Sequence, residues 1–129
     1  MKIERLFLLI GLFYLFVGMV LGNTMGRTGD HSQMPTHAHI MMLGFVTQVV
    51  FGIIYHLWPV MQETGLAKTH FILHQIGTLS MVILLYLVFG GIKEEAVLGP
   101  FFGITDFTLM GATLVFSWNA FKHAGISRS

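Results

Sequence analysis

The stretch PTHAHIMMLG, residues 35–44, opens a long apolar segment and places two histidines, His37 and His39, at its head. An ionisable side chain is costly inside a bilayer, so its presence in such a segment indicates a functional site. Neutral imidazole also binds haem iron, copper or zinc, which makes both histidines candidate metal ligands. The alternative is that they are interfacial histidines hydrogen-bonded to the backbone or to water.

The spacing of the two histidines predicts what they can bind together. On a helix with 3.6 residues per turn, positions i and i+2 lie about 200° apart. His37 and His39 therefore cannot hold one metal ion as a pair. We expect them to serve opposite faces of one helix, and hence two sites or two neighbours.

The composition excludes several classes of protein. The chain has 129 residues, of which 54% are hydrophobic and only 10% are charged, whereas soluble domains carry about 25% charged residues. A net charge of +1 gives no basic field for nucleic acid. The absence of cysteine excludes disulfides, thiolate-ligated or covalently attached haem, and cysteine-based zinc or iron–sulfur sites.

Hydropathy predicts an all-α integral membrane protein with a single domain over residues 1–129. Its four transmembrane helices are predicted at about residues 6–22, 36–58, 69–89 and 101–121. In the first of these, Gly18 and Gly22 form a small-x3-small pattern, which allows another helix to approach closely.

Basic residues outside the spans predict the orientation. One side of the membrane would carry five of them, and the other side only Arg27 and Lys93. The five are Lys2, Arg5, Lys68, Lys122 and Arg128. Because basic residues accumulate on the cytoplasmic side, we expect both termini there. We predict a multi-pass protein of the cytoplasmic membrane of a prokaryote, with the histidine pair towards the outer side.

Depth then separates the remaining ionisable residues of the spans. His56 would lie about 25 Å deeper than His39 at 1.5 Å per residue. His70 and His74 begin the third span on the inner side, where we expect structural hydrogen bonds, with metal binding at His74 as the alternative. Asp106 is expected at about the depth of His39, where it either orients a ligand histidine or caps a late-starting helix.

Two motifs in this order resemble subunit I of the haem–copper oxidases, especially the cbb3 type, and the related nitric oxide reductases. The run from His37-Ala38-His39 through Gly44 to residues 55–59, YHLWP, is similar to the tenth span of that subunit. The following residues 66–72, LAKTHFI, resemble the start of its next helix. The likeness covers the first three predicted spans, and the chain would correspond to one four-helix unit of the twelve-span subunit.

The resemblance implies that His37 and His39 are axial ligands of haem, because the family's paired histidines bind two haems on opposite faces. It also implies that Arg27 and Lys93 stand in for the arginines that hold the haem propionates. The family's copper ion needs three further histidines on two other helices, and no such motif is found here. We therefore expect haem b, with copper left as an open alternative.

Three quasi-equivalent sets of four helices make up the family's subunit, so a four-span chain would rebuild that ring as a homotrimer, with a homodimer as the alternative. The expected function is electron transfer by a bis-histidine b-type haem, with a redox partner that the sequence does not identify. Two alternatives remain open: a haem or haem–copper protein that binds or reduces NO or O2, and a cofactor-free structural or assembly subunit.

Overall fold

Helices account for every regular element of this computed structural model, which describes residues 1–126. The elements are α1 (Ile3–Thr28), α2 (Met34–His39), a π-helical segment (Ile40–Val46), α3 (Thr47–Leu57), α4 (Pro59–Gln62), α5 (Gly65–Phe89) and α6 (Glu95–His123). We call the continuous helical stretch Met34–Leu57 span 2. It and α1, α5 and α6 are long and apolar enough to cross a bilayer, which confirms the prediction of an all-α, four-span membrane protein.

The helices extend further than the predicted spans. α5 begins at Gly65 rather than at residue 69, and α6 begins at Glu95 rather than at residue 101. Hydropathy marks only the apolar window, whereas backbone hydrogen bonding continues into polar residues at the membrane surface. Pro100 lies inside α6 near its start, where it removes one N–H donor without ending the helix.

The ends of the helices have local causes. α1 ends before Gly29, which has a φ of 72°, in the left-handed region that favours glycine. The N–H of Gly29 donates to Met25 O. Span 2 ends because Trp58 precedes a proline and is extended, with φ −124° and ψ 78°. At the start of α5, the side chain of Thr64 accepts a hydrogen bond from the N–H of Ala67.

The four long helices pack as two pairs that meet in the middle. α1 packs along span 2, α6 packs along α5, and span 2 contacts α5. Gly18 lies against Ile40, where an added Cβ would come within 3.1 Å of Cγ2. The small-x3-small pattern thus serves a contact within the chain. Gly44 lies closer still to Tyr14, since an added Cβ would come within 2.5 Å of its Cδ1.

All four long helices meet near the end of the bundle where α1 begins and α6 ends, which we call the terminal end. Phe7 of α1 is fully buried there, with its ring 5.5 Å from that of Phe51 and 5.8 Å from that of Tyr55. Phe116 of α6 lies 4.6 Å from Phe51 between ring centroids. We call the opposite end, which carries the loops 29–33 and 90–94, the loop end.

The basic residues of the described chain divide between these two ends as the sequence suggests. Arg27 lies in the last turn of α1 at the loop end, and Lys93 lies in the loop between α5 and α6. Lys2, Arg5, Lys68 and Lys122 lie at the terminal end. Arg128, the fifth residue in that group, lies outside the described residues.

Candidate functional site

His37 lies in the last turn of α2 and faces α1. The imidazole packs directly against Gly22 of α1. A Cβ added to Gly22 would come within 3.0 Å of His37 Cε1, so a larger residue at this position would crowd the ring. The Nδ1 atom of His37 is buried and has no hydrogen-bond partner among residues 1–126. Buried polar atoms normally have a partner, so this nitrogen is unusual, and α1 of the same chain covers it.

His39 is held in a different way. Its Nδ1 lies 2.8 Å from Pro35 O, and because a carbonyl oxygen only accepts, Nδ1 carries the proton in that hydrogen bond. The Nε2 atom then keeps its lone pair, as in a metal-binding histidine whose second nitrogen donates to a backbone carbonyl. Since the ring is only partly buried, His39 is suited to bind a metal from outside its own helix.

A π-helical segment follows His39 directly, from Ile40 to Val46. At its end the N–H of Thr47 donates to Met42 O, five residues back. Such wide turns within α-helices are frequently found at functional sites. Hydropathy did not predict this π-helical segment, and the one local signal for it is Gly44, which lies inside it.

The predicted cationic residues are at the same end of the bundle as the histidine pair but do not touch it. Arg27 Nε donates to Asn23 Oδ1 over 3.0 Å on the exposed side of α1. Lys93 is exposed in its loop. Both cations are accessible to an anionic group at the loop end, and among residues 1–126 neither forms a hydrogen bond or ion pair with His37 or His39.

Asp106 lies within α6 and is exposed, so it does not cap the helix. The depth of Asp106 follows from the contact between α5 and α6. An added Cβ on Gly77 of α5 would lie 2.7 Å from Cγ of Leu109 in α6, and Leu109 is about one helical turn from Asp106. By this register Asp106 lies near the depth of His39. α6 packs along α5, however, and His39 Nδ1 is already bonded to Pro35. The expected contact between Asp106 and a ligand histidine is therefore not formed by these two residues within one chain.

His56 and His70 lie near the terminal end, as expected. His56 is exposed, with its Nδ1 3.5 Å from Glu4 Oε1. His70 is buried and its Nδ1 lies 2.9 Å from the Tyr55 hydroxyl oxygen. The pairing of Tyr55 with His70 joins two helices, and no short-range pattern in the sequence could have shown it.

The expected depth of His74 is wrong. Its Nε2 lies 3.2 Å from Leu43 O and 3.2 Å from Thr78 Oγ1, and Leu43 is only about one turn along span 2 from His39. His74 is thus in the middle of the bundle rather than near the inner face. The reason is that α5 begins at Gly65, which places His74 in the third turn of that helix.

A metal ion held by protein ligands alone usually has at least three of them in one place. Among residues 1–126, no three His, Cys, Asp or Glu side chains come together as a possible metal site. Haem iron needs only two axial ligands, which His37 and His39 can supply. The Nε2 atom of His74, the alternative metal ligand, has hydrogen-bond partners.

An apolar groove of about 500 Å³ runs between α1 and α5 in the half of the bundle towards the loop end. Thr36 and Ile40 of span 2 form its floor. Neither His37 nor His39 lines this groove, so it is not a pocket in which one chain brings both imidazoles to a common ligand.

Comparisons with protein-family models, with curated proteins and with solved structures find no match to this chain.

Proposed function

We propose that this chain is a membrane-embedded b-type haem protein that transfers electrons, with His37 and His39 as the axial ligands. The observation that carries the proposal is the hydrogen bond from His39 Nδ1 to Pro35 O. It orients the ring and leaves Nε2 free to bind iron. His37 is the second candidate ligand: its ring is only partly buried, and it would bind iron through Nε2, because Nδ1 is buried against α1 of the same chain.

The ligands of one haem would come from two copies of the chain. His37 faces α1 within its own chain, and His39 is on the opposite side of the same helix at about 200°. A bis-histidine haem needs its ligands on opposite sides of the ring plane. A ring of three copies gives every His37 a His39 from its neighbour, and a homodimer that pairs like histidines is the alternative arrangement.

The other residues have supporting roles in this proposal. Haem held by two histidines supplies one-electron transfer, because both axial positions are filled. Arg27 and Lys93 provide positive charge for the anionic groups of the haem at the loop end. The apolar spans exclude water from the site. The redox partner would approach from that end of the bundle, which we place on the outer side of a prokaryotic cytoplasmic membrane.

A reduced-minus-oxidised absorption spectrum with haem quantification per chain tests the proposal. We expect the wild-type protein to bind haem b, and His39→Ala to lose most of it, because the oriented ligand is gone. His37→Ala should lose haem as well. His56→Ala is the matched control, since His56 is exposed at the opposite end, and it should keep full haem content.

Colourless wild-type protein after growth with sufficient haem would contradict the proposal, as would full haem content in both ligand variants. His31→Ala adds a further comparison, because His31 is in the loop before α2 and could offer a ligand from within the chain. We expect it to retain haem. A spectral change on adding carbon monoxide to the reduced protein would indicate an open axial position and favour the gas-binding alternative.

The shared site is tested by mixing two variants. Chains with His37→Ala and chains with His39→Ala each lack one ligand at every interface of a ring. In mixed rings some interfaces join an intact His37 to an intact His39, so haem binding should be partly recovered. A monomer that binds one bis-histidine haem at full occupancy would contradict the interface proposal.

A further inference from the structure

Three ionisable side chains form a buried line that the proposed haem ligation does not use. Tyr55 and His70 have no exposed surface, and His74 is only 3% exposed. The line leads from near the terminal end of the bundle to the middle of the membrane-spanning region. Ionisable groups inside a membrane protein are costly and frequently form proton relays, so each contact along this line matters.

The first contact joins Tyr55 to His70. The tyrosine hydroxyl oxygen lies 2.9 Å from His70 Nδ1. The amide of Asn119 lies near that hydroxyl, and its Nδ2 donates to Met61 O over 2.9 Å. In the relay, the hydroxyl proton points at His70. In that arrangement Nδ1 of His70 accepts, and the ring carries its own proton on Nε2.

The second feature is that this Nε2 atom is buried without a hydrogen-bond partner among residues 1–126. Phenylalanine rings surround the imidazole, with centroids 4.4 Å away for Phe51 and 4.9 Å away for Phe116. They offer no acceptor atom. The next polar ring is that of His74, with its centroid 6.0 Å from that of His70. Buried water commonly bridges polar groups that lack a protein partner.

The third contact fixes His74. Its Nε2 lies 3.2 Å from Leu43 O, and a carbonyl accepts, so Nε2 carries a proton and Nδ1 is left to take another. From the terminal side, the half-buried His123 donates from Nδ1 to Asn119 Oδ1 over 2.9 Å. Polar groups therefore continue from the Tyr55 hydroxyl towards the end of α6.

We propose that Tyr55, His70 and His74 form a proton relay from the terminal end of the bundle to its centre. The Tyr55 O–H bond breaks as its proton passes to His70 Nδ1, and His70 releases the proton on Nε2 to a bridging water. That water passes one of its protons to His74 Nδ1, which leaves His74 as an imidazolium. Water at the terminal end supplies a replacement proton, which reaches the buried Tyr55 oxygen by way of His123 and Asn119, and the hydroxide left behind returns to bulk water. One proton has moved, and Tyr55, His70 and the water are neutral again.

The end of the relay lies close to the candidate haem ligands. Leu43, which holds His74, is about one helical turn from His39. A proton on His74 would offset the negative charge that an electron adds nearby, since such charges interact strongly at low dielectric. The purpose of the relay thus rests on the proposed function, but its existence does not, and it can be tested in protein with or without haem.

Hydrogen exchange at the histidine side chains measures the relay directly. Protein labelled with 15N-histidine in lipid nanodiscs gives N–H signals for His70 and His74, which His70→Gln and His74→Gln assign by their loss. We expect exchange with water at both rings in the wild type. Tyr55→Phe should slow exchange at both rings by at least about tenfold, because a positioned proton donor has been removed.

Tyr14→Phe is the matched control, since Tyr14 is also largely buried but lies outside the line, and exchange should be unchanged. His70→Gln should slow exchange at His74 while the Tyr55 hydroxyl remains, which tests the order of the relay with a second variant. Wild-type exchange rates at both histidines in Tyr55→Phe would overturn the proposal. So would wild-type rings that fail to exchange, whether or not the protein binds haem.

Discussion

The two ends of the helical bundle differ in how densely their side chains pack. At the terminal end, Phe7, Phe51 and Phe116 pack ring against ring, and Tyr55 has a hydrogen bond to His70. Towards the loop end, the buried Nδ1 of His37 has no such partner among residues 1–126, and an open groove separates α1 from α5. The same helices therefore form a dense aromatic core at one end and a more open arrangement around the histidine pair at the other, although each end has a buried histidine nitrogen without a partner among the described residues.

Substitutions at the two ends should affect different properties of the protein. A side chain in the core contacts several neighbours, so its truncation leaves a cavity and lost contacts. A ligand side chain at the other end contributes little to folding until its ligand is bound. Stability and ligand binding should therefore respond to different residues.

The largest expected effect on stability comes from Phe7→Ala. Phe7 is fully buried and its ring lies 5.1 Å from that of Phe71 as well as against span 2. Removing it should lower the free energy of unfolding by about 3–5 kcal/mol. Thermal unfolding in detergent, followed by tryptophan fluorescence, measures the change. Phe13→Ala, where the side chain is 65% exposed, should change stability far less, and equal losses in the two variants would contradict the description of the core.

An intermediate effect is expected for Gly44→Ala in the π-helical segment. The added methyl would lie 2.8 Å from Tyr14 Cβ, which cannot move without shifting α1. Overpacking of this kind costs about 1–3 kcal/mol. Gly111→Ala is the control, because nothing lies within 4 Å of a Cβ at that position, and it should be neutral or slightly stabilising. The same unfolding measurement distinguishes them, and a neutral Gly44→Ala would show that this contact is not tight.

The smallest effect compares two glutamines that join helices at opposite ends. Gln62 Nε2 donates to Glu4 Oε2 over 2.6 Å at the terminal end, and Gln33 Nε2 donates to Tyr86 O over 3.1 Å at the loop end. Hydrogen bonds to charged groups contribute about 1.5–3 kcal/mol and neutral ones about 0.5–1.5 kcal/mol. We expect Gln62→Ala to lower the unfolding temperature more than Gln33→Ala. The reverse order would remove the distinction between the two ends at the level of polar contacts.

Some features of the site followed from local sequence alone. His37 and His39 were expected on opposite sides of one helix. In the structure, His37 packs against Gly22 of α1, and His39 forms a hydrogen bond with Pro35 O of its own helix. This follows because the angle between two nearby positions depends only on helical geometry. The register that places Asp106 near the depth of His39 could also be estimated, since helix rise per residue is nearly constant.

Other features could not be predicted because they depend on residues far apart in the chain. Tyr55 meets His70 only because α3 and α5 pack in one particular register. The position of His74 beside Leu43 depends on where α5 begins, and hydropathy does not locate that residue. The π-helical segment could not be predicted from hydropathy, since an apolar run such as its IMMLGFV is equally compatible with an α-helix.

The sequence by itself determined that this chain forms four long apolar helices, because burying apolar surface in a bilayer depends on local composition. It also determined which residues are chemically able to bind a metal. Only the tertiary structure decided that Gly18 and Gly22 serve packing within the chain, and that His37 keeps a buried nitrogen without a partner among the described residues. Those outcomes depend on which helix faces meet and at what register, and the packing of side chains between distant segments sets both.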